Sequence, residues 1–515
     1  MFSSILSGTV HGIRSYLIHV EVDVSKGLPC FQMVGLLGSE VKEARERVKV
    51  ALKNAGISLP PMCINVSLSP ADLRKEGSMF DLPVALGILE SLGYFPKESV
   101  EDTIIIGELG LNGEIKPLKG ILPIVSEAKK QGIRCCILPK ENAREGAVVQ
   151  EMEIMGVSDI QEALTFLRET PEKRNTVIAP LKIDVGTMLE ATQKESKLDF
   201  ADVSGQAAVK RAAEIAAAGF HHLLIIGPPG AGKTMIAKRI PTILPPLSLE
   251  ESMEVSSIYS VSGALPKGGV LMTERPFIAP HHTITKQALA GGGRVPAPGM
   301  VTLAHRGVLF LDELPEFKRE TIDILRQPLE DKQVRLARSS GNYVYPADFM
   351  LVGAMNPCPC GHYPDMHRCR CSPYEVHRYL ERISGPILDR IDICVEAPAV
   401  EVSELTTAVK AESSSDIRLR VLAARERQKE RFAGTNLQFN ADMEAQDISR
   451  YCILQRQEKR MLEQFFQKLN LTARSYHRIL KVARTIADLA GAERIEETHL
   501  TEALCYRVTD HKYWK

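Results

Sequence analysis

The residues best able to do chemistry are Gly227, Pro228, Pro229, Gly230, Ala231, Gly232, Lys233 and Thr234. They fit G-x-x-x-x-G-K-[ST], the spacing of a loop that cradles the phosphates of a nucleoside triphosphate. Glycines let the backbone approach the phosphates, and N–H groups at the following helix start point at them. Lys233 would bring a point charge to the β- and γ-phosphates, and Thr234 a hydroxyl to Mg²⁺. The flanks agree, since 221–226 is an apolar run fit for a buried strand and 234–239 reads as a helix start. Downstream, the apolar run 307–311 ends on Asp312 and Glu313. Acids at a strand's carboxyl end lie where α/β sheets bind ligands. Asp312 would hold Mg²⁺, and Glu313 would orient and deprotonate the attacking water, which makes the reaction hydrolysis. A third run, 349–355, ends at Asn356, placed to sense the γ-phosphate and help position water. Either acid alone is commonly a helix cap or a solvated charge. The pair after an apolar run, downstream of a phosphate loop, carries the catalytic reading.

Two arginines extend the set. Arg390 lies in the segment 386–392, and Arg474 opens a helical stretch. An arginine offered to a neighbour's nucleotide stabilises the charge of phosphoryl transfer. A single arginine is otherwise a surface ion pair worth little. The ordered set of loop, Asp-Glu, Asn, Arg and Arg resembles the AAA+ ATPases, within them the magnesium-chelatase-like branch, and most closely the YifB/ComM type. Further pieces carry the resemblance: Gly27-Leu28-Pro29 with Phe31 and Val34-Gly35-Leu36, Lys75-Glu76-Gly77-Ser78 with Phe80-Asp81-Leu82-Pro83, Ala279-Pro280-His281-His282-Thr283, Asn356 to Gly361, and Leu388 to Asp392. It covers nearly the whole chain. The resemblance implies that Asn356 is the sensor-1 residue, Arg390 the arginine finger and Arg474 the sensor-2 arginine. It implies ATP and Mg²⁺ as ligands and a homo-oligomeric, hexameric ring. It also implies single-stranded or branched DNA as partner, branch migration in natural transformation, and recombination proteins as further partners. The competing reading is a chelatase- or MoxR-like remodeller of a protein client. That protein would use the same ATP site, because fold and site do not settle the substrate.

The elements that must position these groups fall into blocks. At 515 residues the chain exceeds one ordinary core, so two or three domains are expected. Charged residues make up 25% and hydrophobic ones 44%, as in ordinary globular proteins. Net charge is zero, so nucleic-acid binding would have to come from local basic elements. No apolar run reaches membrane-spanning length, and the first residues lack the pattern of a signal peptide. A cytoplasmic protein is therefore expected, with its eleven cysteines reduced or bound to metal. Residues 1–168 mix short strand-like runs (19–24, 104–107, 135–138) with helices. Ser39 reads as the cap of a helix through Lys53 with Val41, Ala44, Val48 and Leu52 on one face. The charged, Pro-containing stretch 169–198 reads as a linker. Residues 199–399 form the α/β nucleotide-binding block, and 400–515 a charged helical block. The expected fold class is α/β: an N-terminal Lon-protease-like α+β domain, a central AAA+ α/β domain and a C-terminal helical lid.

The first block resembles the Lon protease domain, whose strand-turn segment is similar to Gly107-Glu108-Leu109 and to 113–118. Such proteases need a serine nucleophile and a lysine base in mutual reach. The resemblance places Val84 at the serine and Leu122 near the lysine, and an aliphatic side chain can neither attack nor accept a proton. Ser78 and Lys119 are close in sequence but misplaced. The domain therefore reads as a proteolytically dead scaffold, against the rival of an active ATP-dependent protease.

Three further features stand out. The Gly/Pro-dense stretch 291–299 reads as a loop or a hairpin tip, which the resemblance places at a pore-facing insertion. A second hairpin is expected from Val334 to Tyr345, and Lys332, Arg335 and Arg338 could reach phosphates from it. Cys358, Cys360, Cys369 and Cys371 form a C-x-C-x8-C-x-C cluster, with His362 and His367 between. Four thiolates could hold Zn²⁺ tetrahedrally, and a reduced metal-free loop is the alternative. The remaining cysteines, Cys30 and Cys63 among them, read as packing residues. His281-His282 reads as a structural or polar-contact pair rather than a metal site.

Overall fold

The computed structural model describes residues 1–192, 198–266, 270–293, 295–338, 341–399, 411–468 and 471–514. The chain divides into two compact units. One holds Met1–Glu190, Leu249–Met272 and Leu336–Val344, and the other holds Ala191–Ser248, Thr273–Arg335 and Tyr345–Lys515.

The first unit is built on a seven-stranded mixed sheet. Its strand order is Cys30–Val34, Cys63–Ser69, Arg14–Ser25, Phe2–His11, Thr103–Ile105, Cys135–Pro139 and Glu153–Val157. Arg14–Ser25 is antiparallel to both its neighbours, and the other pairs are parallel. Alternate residues of that strand, Ile18, Val20, Val22 and Val24, are buried, as a two-residue period requires. Against it packs the helix Asp81–Ser91, buried along its whole length. The helix Ser39–Asn54 buries Val41, Ala44, Val48 and Leu52, as the spacing predicts. Its N-cap, however, is Gly38 rather than Ser39. The Gly38 N–H is spent on the Lys75 carbonyl at 2.8 Å, and the Lys75 N–H donates to Leu36 at 2.9 Å. Backbone pairing between two distant segments thus fixes where the helix begins.

Three further findings differ from the sequence reading. The stretch 169–198 carries the helices Pro171–Val177 and Val185–Thr192, with residues 193–197 outside the described residues. The helix Leu249–Ser262 lies within the nucleotide-binding block by sequence but packs in the first unit on Ile121–Lys130. Cys30 and Cys63, expected as reduced packing residues, form a disulfide. They are register partners in a parallel strand pair, with Cα atoms 4.5 Å apart, within bonding range of one another.

The second unit has a five-stranded, all-parallel sheet in the order Phe277–Ile278, Val308–Leu311, Met350–Met355, Leu223–Ile226, Ile393–Glu396. Its three inner strands are buried at every residue, which is why they read as continuous apolar runs. Ser414–Arg431, Ala445–Tyr451, Arg456–Lys468, Ala473–Ala490 and Glu497–Trp514 supply the C-terminal helical region. Asp488, fully buried, ties part of it together by accepting from Arg484 Nε at 3.1 Å, from Asn440 Nδ2 at 2.8 Å and from Arg431. Among the described residues no helix is long and apolar enough to cross a membrane.

Candidate nucleotide site

The carboxyl ends of the three inner strands bring the predicted groups together. Leu223–Ile226 runs into the phosphate loop, Val308–Leu311 into Asp312 and Glu313, and Met350–Met355 into Asn356. Their register aligns Ile226 with Met355 and Leu311 with Gly353, so the three loops leave the sheet side by side. Gly232 sits at φ +78°, in the left-handed region that glycine enters without strain, and the helix Lys233–Ala237 begins at the next residue.

Lys233 is buried, and its ammonium donates to Gly227 O at 2.7 Å, Pro228 O at 2.9 Å and Asn356 Oδ1 at 3.0 Å. Burial lowers its pKa from the ordinary lysine value, and the charges of Asp312 and Glu313 oppose that shift. Thr234 Oγ1 donates to Asp312 Oδ2 at 2.7 Å, and the Glu313 N–H donates to Asp312 Oδ1 at 3.0 Å. A hydroxyl and a carboxylate oxygen in contact are the hard donors that suit Mg²⁺. Glu313 adopts φ +52°, unusual for a side-chain-bearing residue, and its carboxylate is exposed. His282 Nδ1 lies 3.8 Å from Glu313 Oε2, so His282 is a polar neighbour of the expected base, with His281 against its ring. Among the described residues no metal-ligand cluster includes either histidine.

Three family models match in succession: subunit ChlI of Mg-chelatase over residues 20–142, magnesium chelatase subunit ChlI over 199–405, and its C-terminal model over 411–507. The YifB protein of Salmonella typhimurium is 42% identical over 500 residues, covering 97% of this chain and 96% of that protein. The competence protein ComM of Haemophilus influenzae is 42% identical over 499 residues, covering 96% and 95%. The chain belongs to the YifB/ComM family of magnesium-chelatase-like AAA+ proteins. A shorter match, 27% identical over 192 residues, joins it to Lon protease 2 of Bacillus subtilis, with 32% of this chain and 33% of that protein covered. Membership in this AAA+ family implies ATP and Mg²⁺ as the ligands of the site.

In this member of the YifB/ComM family the two predicted arginines share one carboxylate, and among the described residues no hydrogen bond or ion pair joins either of them to the phosphate loop. Arg390 and Arg474 both pair with Glu330 Oε1, Arg474 at 3.4 Å, at a cavity of about 390 Å³. Arg478, His477 and Lys481 also line it. Glu330 escaped the sequence reading because nothing in Gln327-Pro328-Leu329-Glu330 marks a site. Its role arises only where distant segments converge.

Both expected hairpins are present: Gly291–Gly292 pairs with Ala297–Pro298, and Gln333–Arg338 with Gly341–Pro346. Arg294, Ser339 and Ser340 lie outside the described residues. The Tyr345 hydroxyl donates to Pro296 O at 2.7 Å and links the two. Of the three cations considered for phosphate contact, Lys332 is engaged by Asp442 and by Asp348 at 3.4 Å, so it anchors the hairpin base. Arg335 and Arg338 are exposed.

Val84 and Leu122 are fully buried in the first unit's core. Ser78 Oγ is engaged by Glu108, and Asp81 is held by Arg47 at 2.7 Å. Burial raises the Asp81 pKa, and the hydrogen bond and charge of Arg47 oppose it. Cys358, Cys360, Cys369 and Cys371 converge, with all four sulfurs within 4.8 Å of one another. Cys505, read as a packing residue, is exposed.

Proposed function

We propose that this protein is an ATP-hydrolysing ring motor acting on DNA, a branch-migration helicase serving recombination and natural transformation. One observation carries the reading: Lys233, Thr234, Asp312, Glu313 and Asn356 converge while Arg390 and Arg474 are paired elsewhere on Glu330. A site with its phosphate, metal and water groups in one place and its arginines in another is complete only when a second copy supplies them. A hexamer is the ring assigned here, and its subunits would exchange these arginines. Lys233 binds the β- and γ-phosphates, and Thr234 with Asp312 would hold Mg²⁺, which would supply positive charge to the phosphate oxygens. Glu313 takes the proton of the attacking water, and Asn356 fixes that water's place. The 42% identity to a competence protein supports DNA as the client, as do the exposed Arg335 and Arg338 on a hairpin. The first unit acts as a non-proteolytic scaffold, and the four cysteines hold Zn²⁺.

The test is steady-state ATPase activity with and without forked or four-way DNA, with Lys233→Ala as the inactive control. Several-fold stimulation that weakens with salt is expected. ATPase activity indifferent to every DNA, with no DNA binding at low salt, would transfer the motor to a protein client.

A further inference from the structure

We infer that the Zn²⁺ ion held by Cys358, Cys360, Cys369 and Cys371 acts as a buttress of the phosphate loop, so that metal loss loosens nucleotide binding. Its consequence rests on the ATP-site reading above. Its metal does not.

The sulfur geometry comes first. Cys358 Sγ lies 3.3 Å from Cys360 Sγ and 3.8 Å from Cys369 Sγ, and Cys360 lies 3.6 Å from Cys369. Four sulfurs at about 2.3 Å from one tetrahedral zinc would stand about 3.8 Å apart. None of the four is in a disulfide. An all-sulfur set selects zinc over the hard cations magnesium and calcium. His362 and His367, between the pairs in sequence, are not part of the cluster.

The loop has little regular structure of its own. Between Cys358 and the helix Pro373–Leu380 it has neither helix nor strand, and residues 364–368 are all exposed, Met366 at 70%. Its backbone is a series of turns: Gly361 N–H to Cys358 O at 3.0 Å, Asp365 N–H to His362 O at 2.9 Å, and Cys369 N–H to Asp365 O at 2.7 Å. The Tyr363 N–H points at Cys358 Sγ at 3.4 Å, the kind of outer contact that orients a thiolate ligand. The capping box of Ser372 and Glu375 fixes the exit directly after Cys371. Metal ligation would order such a segment, each cysteine binding as thiolate and releasing its proton to solvent.

What the ordered loop touches gives it a role. Cys358 follows Asn356, the partner of Lys233, by two residues on the same chain segment. The Gly227 N–H donates to Met355 O at 3.1 Å, tying the start of the phosphate loop to that strand end. Gly361, at φ +83°, turns the chain between the first two ligands and the rest of the loop. A Cβ there would fall 2.4 Å from Pro229 Cδ. The metal knuckle therefore lies directly against the phosphate loop, and one ligand is covalently close to its sensor.

The test uses the full-length protein. Metal analysis should find about one zinc per chain, and cobalt substitution should give the thiolate charge-transfer and tetrahedral d–d bands of a four-sulfur site. Cys369→Ser should lose the metal and bind a fluorescent ATP analogue about 10-fold more weakly, as loosened positioning predicts. Cys505→Ser, on an exposed cysteine elsewhere, should keep both. If Cys369→Ser does not fold, wild-type protein stripped by a chelator and titrated with the same analogue gives the same comparison. A wild type with no zinc and no cobalt spectrum overturns the metal site. A folded, zinc-free variant with nucleotide affinity within about twofold of wild type overturns the buttress and leaves the metal site standing. Zinc-loaded protein that binds no nucleotide overturns the ATP-site reading instead.

Discussion

Both units are α/β, yet they place their polar side chains differently. In the second, three adjacent strands run out into the phosphate loop that carries Lys233, into Asp312 with Glu313, and into Asn356. In the first, Val84 lies inside a helix buried at every residue, and Leu122 in the first turn of another. A strand end passes from core to solvent within one residue, so it can hold a reactive group without burying it. A buried helix interior offers only packing. If the first unit is the non-proteolytic scaffold proposed above, the positions assigned to serine and lysine carry the aliphatic Val84 and Leu122, both fully buried.

The sharpest way to break this contrast is at the separated arginines. Arg390→Ala should lower ATPase activity about 10³-fold, in the range expected for an arginine finger. If the residue acts on a neighbour's nucleotide, mixing Arg390→Ala with Lys233→Ala protein should restore part of the rate, because one mixed interface is intact. A mixture as inactive as its components would place Arg390 in its own subunit's site. Glu313→Gln comes next, with hydrolysis reduced about 10²-fold to 10³-fold and nucleotide binding retained, since the amide cannot accept water's proton. Lost binding in that variant would make Glu313 a ligand rather than a base.

The other side of the contrast is open to repair. Installing Val84→Ser with Leu122→Lys should not produce a peptidase. The lysine would enter a site with no exposed surface, costing about 2–3 kcal/mol or more in stability, and casein should stay intact. Casein cleavage by the double variant would mean that the scaffold is inactive only for want of two side chains.

What could be read from the sequence follows the same division. Lys233, Asp312 and Asn356 were legible because each signal is local: the glycine-rich spacing of 227–234 for Lys233, and for Asp312 and Asn356 an apolar run and the residue that follows it. Glu330 was not, since it lies 144 residues from Arg474 and no local pattern marks a carboxylate that two distant arginines will share. The Cys30–Cys63 bond depends on strand register across a sequence separation of 33. The placement of Leu249–Ser262 was hidden for another reason. Its buried side includes Ser252, Ser256 and Ser260 beside Val255, Ile258 and Tyr259, so polar letters blur the face that packs on Ile121–Lys130. Lys332 misled in the opposite way: a cation beside a hairpin looks available until its two carboxylates arrive from elsewhere in the fold.

The smallest expected effect concerns Glu90, at the end of the buried helix Asp81–Ser91. It is 8% exposed, and its Oε2 has no hydrogen-bond partner among the described residues. Burial pushes its pKa up to about 7, with Lys97 opposing the shift and Glu98 adding to it. Between the ordinary glutamate value and about 7 the folded state keeps a proton that the unfolded state has released. The stabilisation is therefore fully present below the ordinary value and is lost as pH rises through about 7. Glu90→Gln cannot ionise and should lack this dependence. From pH 5 to 8 the wild type should lose about 1–2 kcal/mol of local stability relative to the variant, less than full burial would give because the carboxyl keeps some hydration. Hydrogen exchange of the amides in Asp81–Ser91, corrected for intrinsic rates, reads that difference directly. Wild type and Glu90→Gln that track together across the range would show that the carboxyl reaches water at the helix end. The first unit would then be more open around Glu90 than its buried core implies.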